Sequence, residues 1–172
     1  FTTPQPSQIN FENNLAWAFI QHAAKGYRHV VLEDEGGRVG DLQIPVPTRA
    51  YCDSGSLIIL ERTLEERVEI THDEYVTRSQ SAYVALYGDE AGPEQWSNHM
   101  LGCIDRIRKR LGGLRHQQAR THLLAGHHRV WIEQLLSEYY DPMYDHQIET
   151  KRDAIILQGN EREVMAYLNT LD

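Results

Sequence analysis

A chain of 172 residues is long enough for one domain with a real core, and 41% hydrophobic against 24% charged residues is ordinary for a globular protein. A net charge of −8 excludes a uniformly basic nucleic-acid surface, though not a local basic patch. No apolar run approaches the length of a membrane span, so no membrane partner is expected.

The opening FTTPQPSQ reads as an extended entry, and a start at Phe1 rather than Met reads as the middle of a longer protein. Ser7 or Asn10 is placed to cap the helix that follows, on which Phe11, Leu15, Ala18, Phe19 and His22 share one face up to Lys25–Gly26. Then comes Arg28–Gly40, RHVVLEDEGGRVG. His29–Leu32 is too short for a helix, and its valines suit a buried strand. Glu33, Asp34 and Glu35 then stand at that strand's C-terminal end, before a loop at Gly36–Gly37. In open α/β sheets ligands bind at that edge, and acids after an apolar strand hold Mg²⁺ beside phosphate in P-loop proteins. Asp41–Pro47, with two prolines, is expected to be a surface connection.

Ser56–Glu61, SLIILE, is the second expected strand. Thr63 and Glu66 form a capping-box pattern at the start of a helix that carries Arg67, Val68, Ile70, Tyr75 and Val76. Arg67 is expected to join a local ion-pair network with Glu61, Glu65 and Glu66. Gly88–Pro93 is a break, and Pro93 suits the first turn of a new helix. Trp96, Met100, Cys103, Ile104, Ile107 and Leu111 share one face of that helix, which ends RIRKRLGG. A further helix spans about Leu114–Leu124, with a break at Gly126. Val130–Tyr140 is amphipathic, and Asp141-Pro142 is expected to end it. Ala154–Gln158 is the third strand and Glu161–Leu171 the closing helix.

Strands alternating with helices indicate α/β with a parallel sheet of about three strands, and the long helical middle reads as a large insertion or lid. Arg108, Lys109, Arg110 and Arg115 concentrate positive charge in an acidic protein, next to glycines that permit movement; they suit capture of a diphosphate or contact with an RNA backbone. Tyr139, Tyr140, Pro142, Met143 and Tyr144 form an aromatic cluster suited to stacking on a base or lining an apolar pocket. The nine histidines lack zinc-ligand spacing. Cys52 and Cys103 form no metal or redox motif, which points to a reduced, cytoplasmic setting.

FENNLA, VVLEDEGGRVGDLQIP, LERTLEERV with DEYV, KRLGG, and LLSEYYDPMYDHQ resemble, in order along nearly the whole chain, the C-terminal half of the bacterial tRNA 2-selenouridine synthase family. The resemblance implies that residues 1–172 are the C-terminal portion of a P-loop NTPase-like domain, joined in that family to an N-terminal rhodanese-like domain. It implies an enzyme that geranylates 2-thiouridine and replaces sulfur by selenium at the wobble uridine of tRNA. Selenophosphate and geranyl diphosphate are then co-substrates, and tRNA and the missing N-terminal segments are partners.

By the same resemblance Glu33, Asp34 and Glu35 hold Mg²⁺ on a diphosphate, Arg38 clamps a phosphate, and Tyr140, Met143 and Tyr144 line a tRNA or prenyl pocket. Two departures matter. The chain holds no G-x-x-x-x-G-K-[ST] loop, and neither cysteine has the context of a selenium carrier, so this piece alone is expected to be inactive and its catalytic residues stay unassigned. A P-loop small-molecule kinase and a non-catalytic RNA-docking module are the alternative readings.

Overall fold

The computed structural model describes residues 2–34 and 36–171. The chain divides into two compact units, one made of Thr3–Glu61 with the C-terminal stretch from Asp153, the other containing Arg62–Arg152. Together they give a mostly helical α/β chain with one small parallel sheet.

The first unit opens with α1 (Gln8–Ala24), capped by Ser7, whose hydroxyl accepts from the Asn10 N–H at 3.3 Å. Phe11, Leu15, Phe19 and His22 are half-buried, while Ala18, expected on the same face, is exposed. Next is a short antiparallel hairpin, β1 (Arg38–Val39) and β2 (Leu42–Gln43), turned at Gly40 with a φ of 60°. A glycine first in a two-residue turn supplies the positive φ that matches strand twist. Two glutamine amides hold the hairpin by its backbone. Gln8 accepts from the Gln43 N–H at 3.0 Å and donates to its carbonyl at 2.8 Å, and Gln5 treats Asp41 N–H and Val39 O likewise, each at 3.0 Å.

The prolines of Asp41–Pro47 do not make a plain connection. Pro47 lies in the first turn of α2 (Val46–Asp53), where a missing N–H costs nothing. β3 (Leu57–Leu60) and β4 (Ile155–Gly159) pair in parallel, with Ile58 opposite Leu157 and Leu60 opposite Gly159. α9 (Glu161–Leu168) follows behind an Asn160–Glu163 capping box and buries Val164.

The first expected strand is corrected here. His29–Leu32 has no strand geometry, and Val30, Val31 and Leu32 are 38%, 65% and 49% exposed. A strand needs a ladder partner, and among the described residues none is hydrogen-bonded to this segment as one.

The helical unit starts at α3 (Leu64–His72), with Thr63 and Glu66 completing the expected capping box. A π-helical turn, Asp73–Arg78, leads into α4 (Ser79–Arg106), which Gly88 breaks at φ 83° and ψ 168°. Pro93 falls in the first turns after that break. α5 (Arg108–Leu111) is set off from α4 at Ile107 and stopped by Gly112 at φ 87°. α6 (Gly113–Leu124) and α7 (His128–Leu135) complete a core centred on Trp96, Met100, Ile104, Ala119, Trp131 and Ile132.

Asp141-Pro142 does not end the helix before it. Leu136–Tyr140 winds as a π-helix and α8 (Asp141–Thr150) continues directly, with Pro142 in its first turn. The wider π turn absorbs the change of hydrogen-bond pattern that a proline requires.

Candidate functional site

α5 presents Arg108, Lys109 and Arg110 to solvent, and none of the three forms an ion pair among the described residues. Beside them lies an open groove of about 340 Å³, lined by Arg108, Gly113, His116, Gln117, Arg120 and Thr121, with Leu124 also in its lining. Asp105 organises this groove. It accepts from both His116 Nε2 and Arg120 Nη1 at 2.7 Å, and His116, then Arg120, holds its carboxyl below the usual range. The result is one fixed guanidinium, Arg120, and one fixed imidazole, His116, next to the Arg108, Lys109 and Arg110 side chains, which suits a phosphate oxygen. Arg115 does not line the groove; its Nε donates to Glu138 at 3.0 Å.

The tyrosines stand together in the same unit. Tyr139 meets Tyr140 edge-on at 5.0 Å, and Tyr140 and Tyr144 stack at 6.4 Å and 24°. Burial, then Tyr75, Tyr139 and Tyr144, pushes the Tyr140 phenol above its ordinary pKa. Met143 is half-buried. Asp141, to which sequence spacing assigns no role, anchors the start of α8 by a two-pronged ion pair with Arg67. Arg67 is therefore not in the local network expected for it. Glu66 is occupied by the capping box, Glu65 and Glu69 face Arg129, and Glu61 accepts from Gln158 at 2.6 Å.

Glu33, Asp34 and Arg38 belong to the other unit. All three are exposed. Asp34 lies 3.6 Å from Arg49, which also grips Asp53 at 2.7 Å, and these neighbours raise the Arg49 pKa, Asp53 most. Arg38 sits opposite Gln43 in the hairpin. Glu35 lies outside the described residues. No group of three or more His, Cys, Asp or Glu side chains is arranged to hold a metal ion among the described residues.

A second groove, missed by sequence reading, is lined by His72, Val76, Gln80, Val84 and His128 in the helical unit. His128 is fixed: its Nδ1 accepts from Trp131 Nε1 at 3.2 Å, and its ring meets Trp96 edge-on at 5.2 Å. No local motif links His72 to His128, so only the packing of α3 on α7 reveals them.

Burial, then His72 and His127, pushes the His128 pKa down. A histidine kept neutral by the fold binds protons more readily when unfolded. Its contribution is intact above about pH 6.5 and is lost as pH falls through that value toward the lower folded pKa. His128→Gln should therefore flatten the fall in urea-unfolding stability between about pH 7 and 5. An unchanged slope would leave His99, shifted the same way by burial, as the group responsible.

Residues 1–172 match the family described as the tRNA 2-selenouridine synthase AAA domain. A tRNA 2-selenouridine synthase of Sulfurovum sp. (strain NBC37-1) is 40% identical over 96% of this chain and 48% of its own length. Those of Marinobacter nauticus and Alcanivorax borkumensis are 41% and 38% identical over 96% of this chain and 48% and 49% of theirs. The chain thus spans about half the length of the curated relatives it matches. No solved structure matches it.

Proposed function

Because the chain belongs to the tRNA 2-selenouridine synthase family, we propose that it is the substrate-holding part of a transferase that modifies the wobble uridine of tRNA. The observation that carries this reading is the exposed Arg108–Lys109–Arg110 run beside the Arg108–Arg120 groove, in a protein whose net charge is −8. Positive charge is concentrated there while acids dominate elsewhere, which suits a polyanion approaching one face.

In this reading the guanidinium groups take phosphates of the tRNA backbone or of geranyl diphosphate. Tyr140, Tyr144 and Met143 receive the base or the prenyl chain. Glu33, Asp34 and Glu35, with Arg38, hold Mg²⁺ and a diphosphate in the intact protein. Geranylation of the 2-thiouridine sulfur makes it a better leaving group, which selenium from selenophosphate then displaces at C2. The phosphate-cradling loop and the selenium carrier belong to the remaining half of the protein, which would also complete a P-loop-like sheet on the β3–β4 pair.

Filter binding of tRNA to the intact protein across a salt series tests the reading. Replacing Arg108, Lys109 and Arg110 together by alanine should weaken binding and reduce the slope of log affinity against log salt by about 2–3. An unchanged slope would remove the basic run from the model. Binding of tRNA without any Mg²⁺-dependent affinity for geranyl diphosphate would reduce this chain to an RNA-docking module.

A further inference from the structure

Both π-helical turns among the described residues carry tyrosines: Asp73–Arg78 holds Tyr75, and Leu136–Tyr140 holds Tyr139 and Tyr140. Such turns interrupt the regular rows of an α-helix and recur at functional sites. Tyr75, Tyr140 and Tyr144 are 41%, 36% and 50% exposed, whereas Tyr139 packs against the core. The exposed rings are braced from behind. Tyr139 meets Tyr140 edge-on, Tyr144 stacks beside Tyr140, and the Tyr75 carbonyl accepts from the buried Trp96 Nε1 at 3.0 Å. After burial, Tyr75 is the first of the neighbours that push the Tyr140 pKa up, so the two phenols are close although far apart in sequence.

Positive charge lies next to these tyrosines. α5, which carries Arg108, Lys109 and Arg110, packs against the Leu136–Tyr140 turn. Arg106, exposed at the end of α4, has no carboxylate partner among the described residues and donates from Nη2 to Cys103 Sγ at 2.8 Å. Cys103 is in turn near enough to Tyr140 to add to its shift. Two acids of the region are already engaged, Asp141 by Arg67 and Glu138 by Arg115. Exposed ring faces beside free cations match a strand in which flat bases alternate with phosphates. A duplex hides its base faces in the stack, so unpaired bases are the ones that reach such a platform. A prenyl chain gains most by enclosure, and rings this exposed enclose little.

We propose that Tyr75, Tyr140 and Tyr144 form a stacking platform for unpaired bases of single-stranded RNA, with Arg106 and the α5 side chains holding the phosphates beside those bases. This rests on the tRNA reading above and deepens it: of the base and the prenyl chain, the tyrosines take the base, and Tyr75 joins them. Stacking uses the π-face that every base has, so the platform holds a strand without reading its sequence. The two turns are rigid where it matters, because the buried Trp96 fixes the Tyr75 backbone and the Arg67–Asp141 pair anchors the chain directly after Tyr140. The rings are therefore in place before the strand arrives, which spares the ordering of free side chains on binding.

The test uses the intact protein and a fluorescein-labelled uridine octamer, with binding read by anisotropy. A strand of abasic riboses of the same length keeps the phosphates and lacks the rings, and it should bind about fivefold or more weakly. Tyr75→Leu should lose about fivefold or more of the octamer affinity, while Tyr75→Phe, which keeps the ring, should stay within about twofold of the native protein. Neither change should alter the slope of log affinity against log salt, because a phenol releases no counterions. The Arg108–Lys109–Arg110 variant acts on that slope, so a failure of the basic run shows there and leaves the ring comparison readable. With 5-iodouridine in the strand, ultraviolet light should cross-link it to Tyr75, Tyr140 or Tyr144, as peptide mass spectrometry would locate. The Tyr75 ring is exposed and the group that anchors Trp96 is backbone, so Tyr75→Leu keeps its fold, which an unchanged thermal midpoint verifies. Equal affinity for the octamer and the abasic strand, full affinity in Tyr75→Leu, equal losses in Tyr75→Phe and Tyr75→Leu, or cross-links confined to other residues would each overturn the proposal.

Discussion

Alanine at Gly92 should unfold the helical unit several degrees earlier than the native protein. A Cβ built there lies 2.6 Å from Val84 Cα and 2.8 Å from Val84 N. Those are backbone atoms, so no flexible side chain can swing aside to make room. The close approach arises because Gly88, in a left-handed conformation, turns the chain between the two residues inside α4. Gly92 is itself buried, beside core positions Tyr83 and Trp96. Overpacking of this kind costs about 1–3 kcal/mol or more. For a chain of this size that is a fall in melting temperature of about 3–10 °C. Gly102 is the matched control. It lies on the same helix with nothing within 4 Å of an added Cβ. Gly102→Ala should be neutral or raise stability by up to about 1 kcal/mol through helix propensity. Calorimetry on both variants decides: equal melting temperatures for native and Gly92→Ala would mean the two halves of α4 can separate freely at this point.

The contrast between these two glycines shows where sequence reading succeeds. Signals carried within one turn of chain were legible. Ser7, the Thr63–Glu66 capping box, the Gly112 stop and the apolar runs at Leu57–Leu60 and Ile155–Gly159 all depend on neighbours a few residues away. Val30–Leu32 carries the same apolar signal as β3, but strand geometry depends on a ladder partner, and apolarity alone does not supply one. Pro142 was misread because its effect depends on the π-helical turn before it, which no residue preference announces. The basic run was legible as composition. Its organisation was not: Asp105 on α4 holds His116 and Arg120 on α6, and nothing local to either helix tells which cation the acid will choose. Arg67 shows the same failure, passing over three nearby glutamates for a partner on α8.

Breaking that Arg67–Asp141 pair should cost more than any other single ion pair in the helical unit. Both side chains are about a third exposed, at 32% and 30%, and the contact is two-pronged. Asp141 first raises the Arg67 pKa by its hydrogen bond, and Asp145 adds to it through space. The Arg67 Nε is buried without a hydrogen-bond partner, so the guanidinium depends on Asp141 for its remaining compensation. Fully buried pairs lose about 3–5 kcal/mol when one partner is removed, and exposed pairs about 0–1. Partial exposure places Asp141→Asn between them, at roughly 2 kcal/mol after discounting for solvent screening. A double-mutant cycle with Arg67→Met isolates the pair, and the Arg115–Glu138 pair, 55% and 38% exposed, supplies a cycle expected to stay below about 1 kcal/mol. Because Asp141 directly follows Tyr140, loss of the pair should also loosen the Tyr140–Tyr144 stack and weaken tRNA binding by the intact protein. Stability loss with unchanged tRNA affinity would make the YYDP segment a structural clamp alone. An interaction energy no larger than that of Arg115–Glu138 would mean that Asp141 acts only through the positive end of the α8 dipole, which needs no arginine at all.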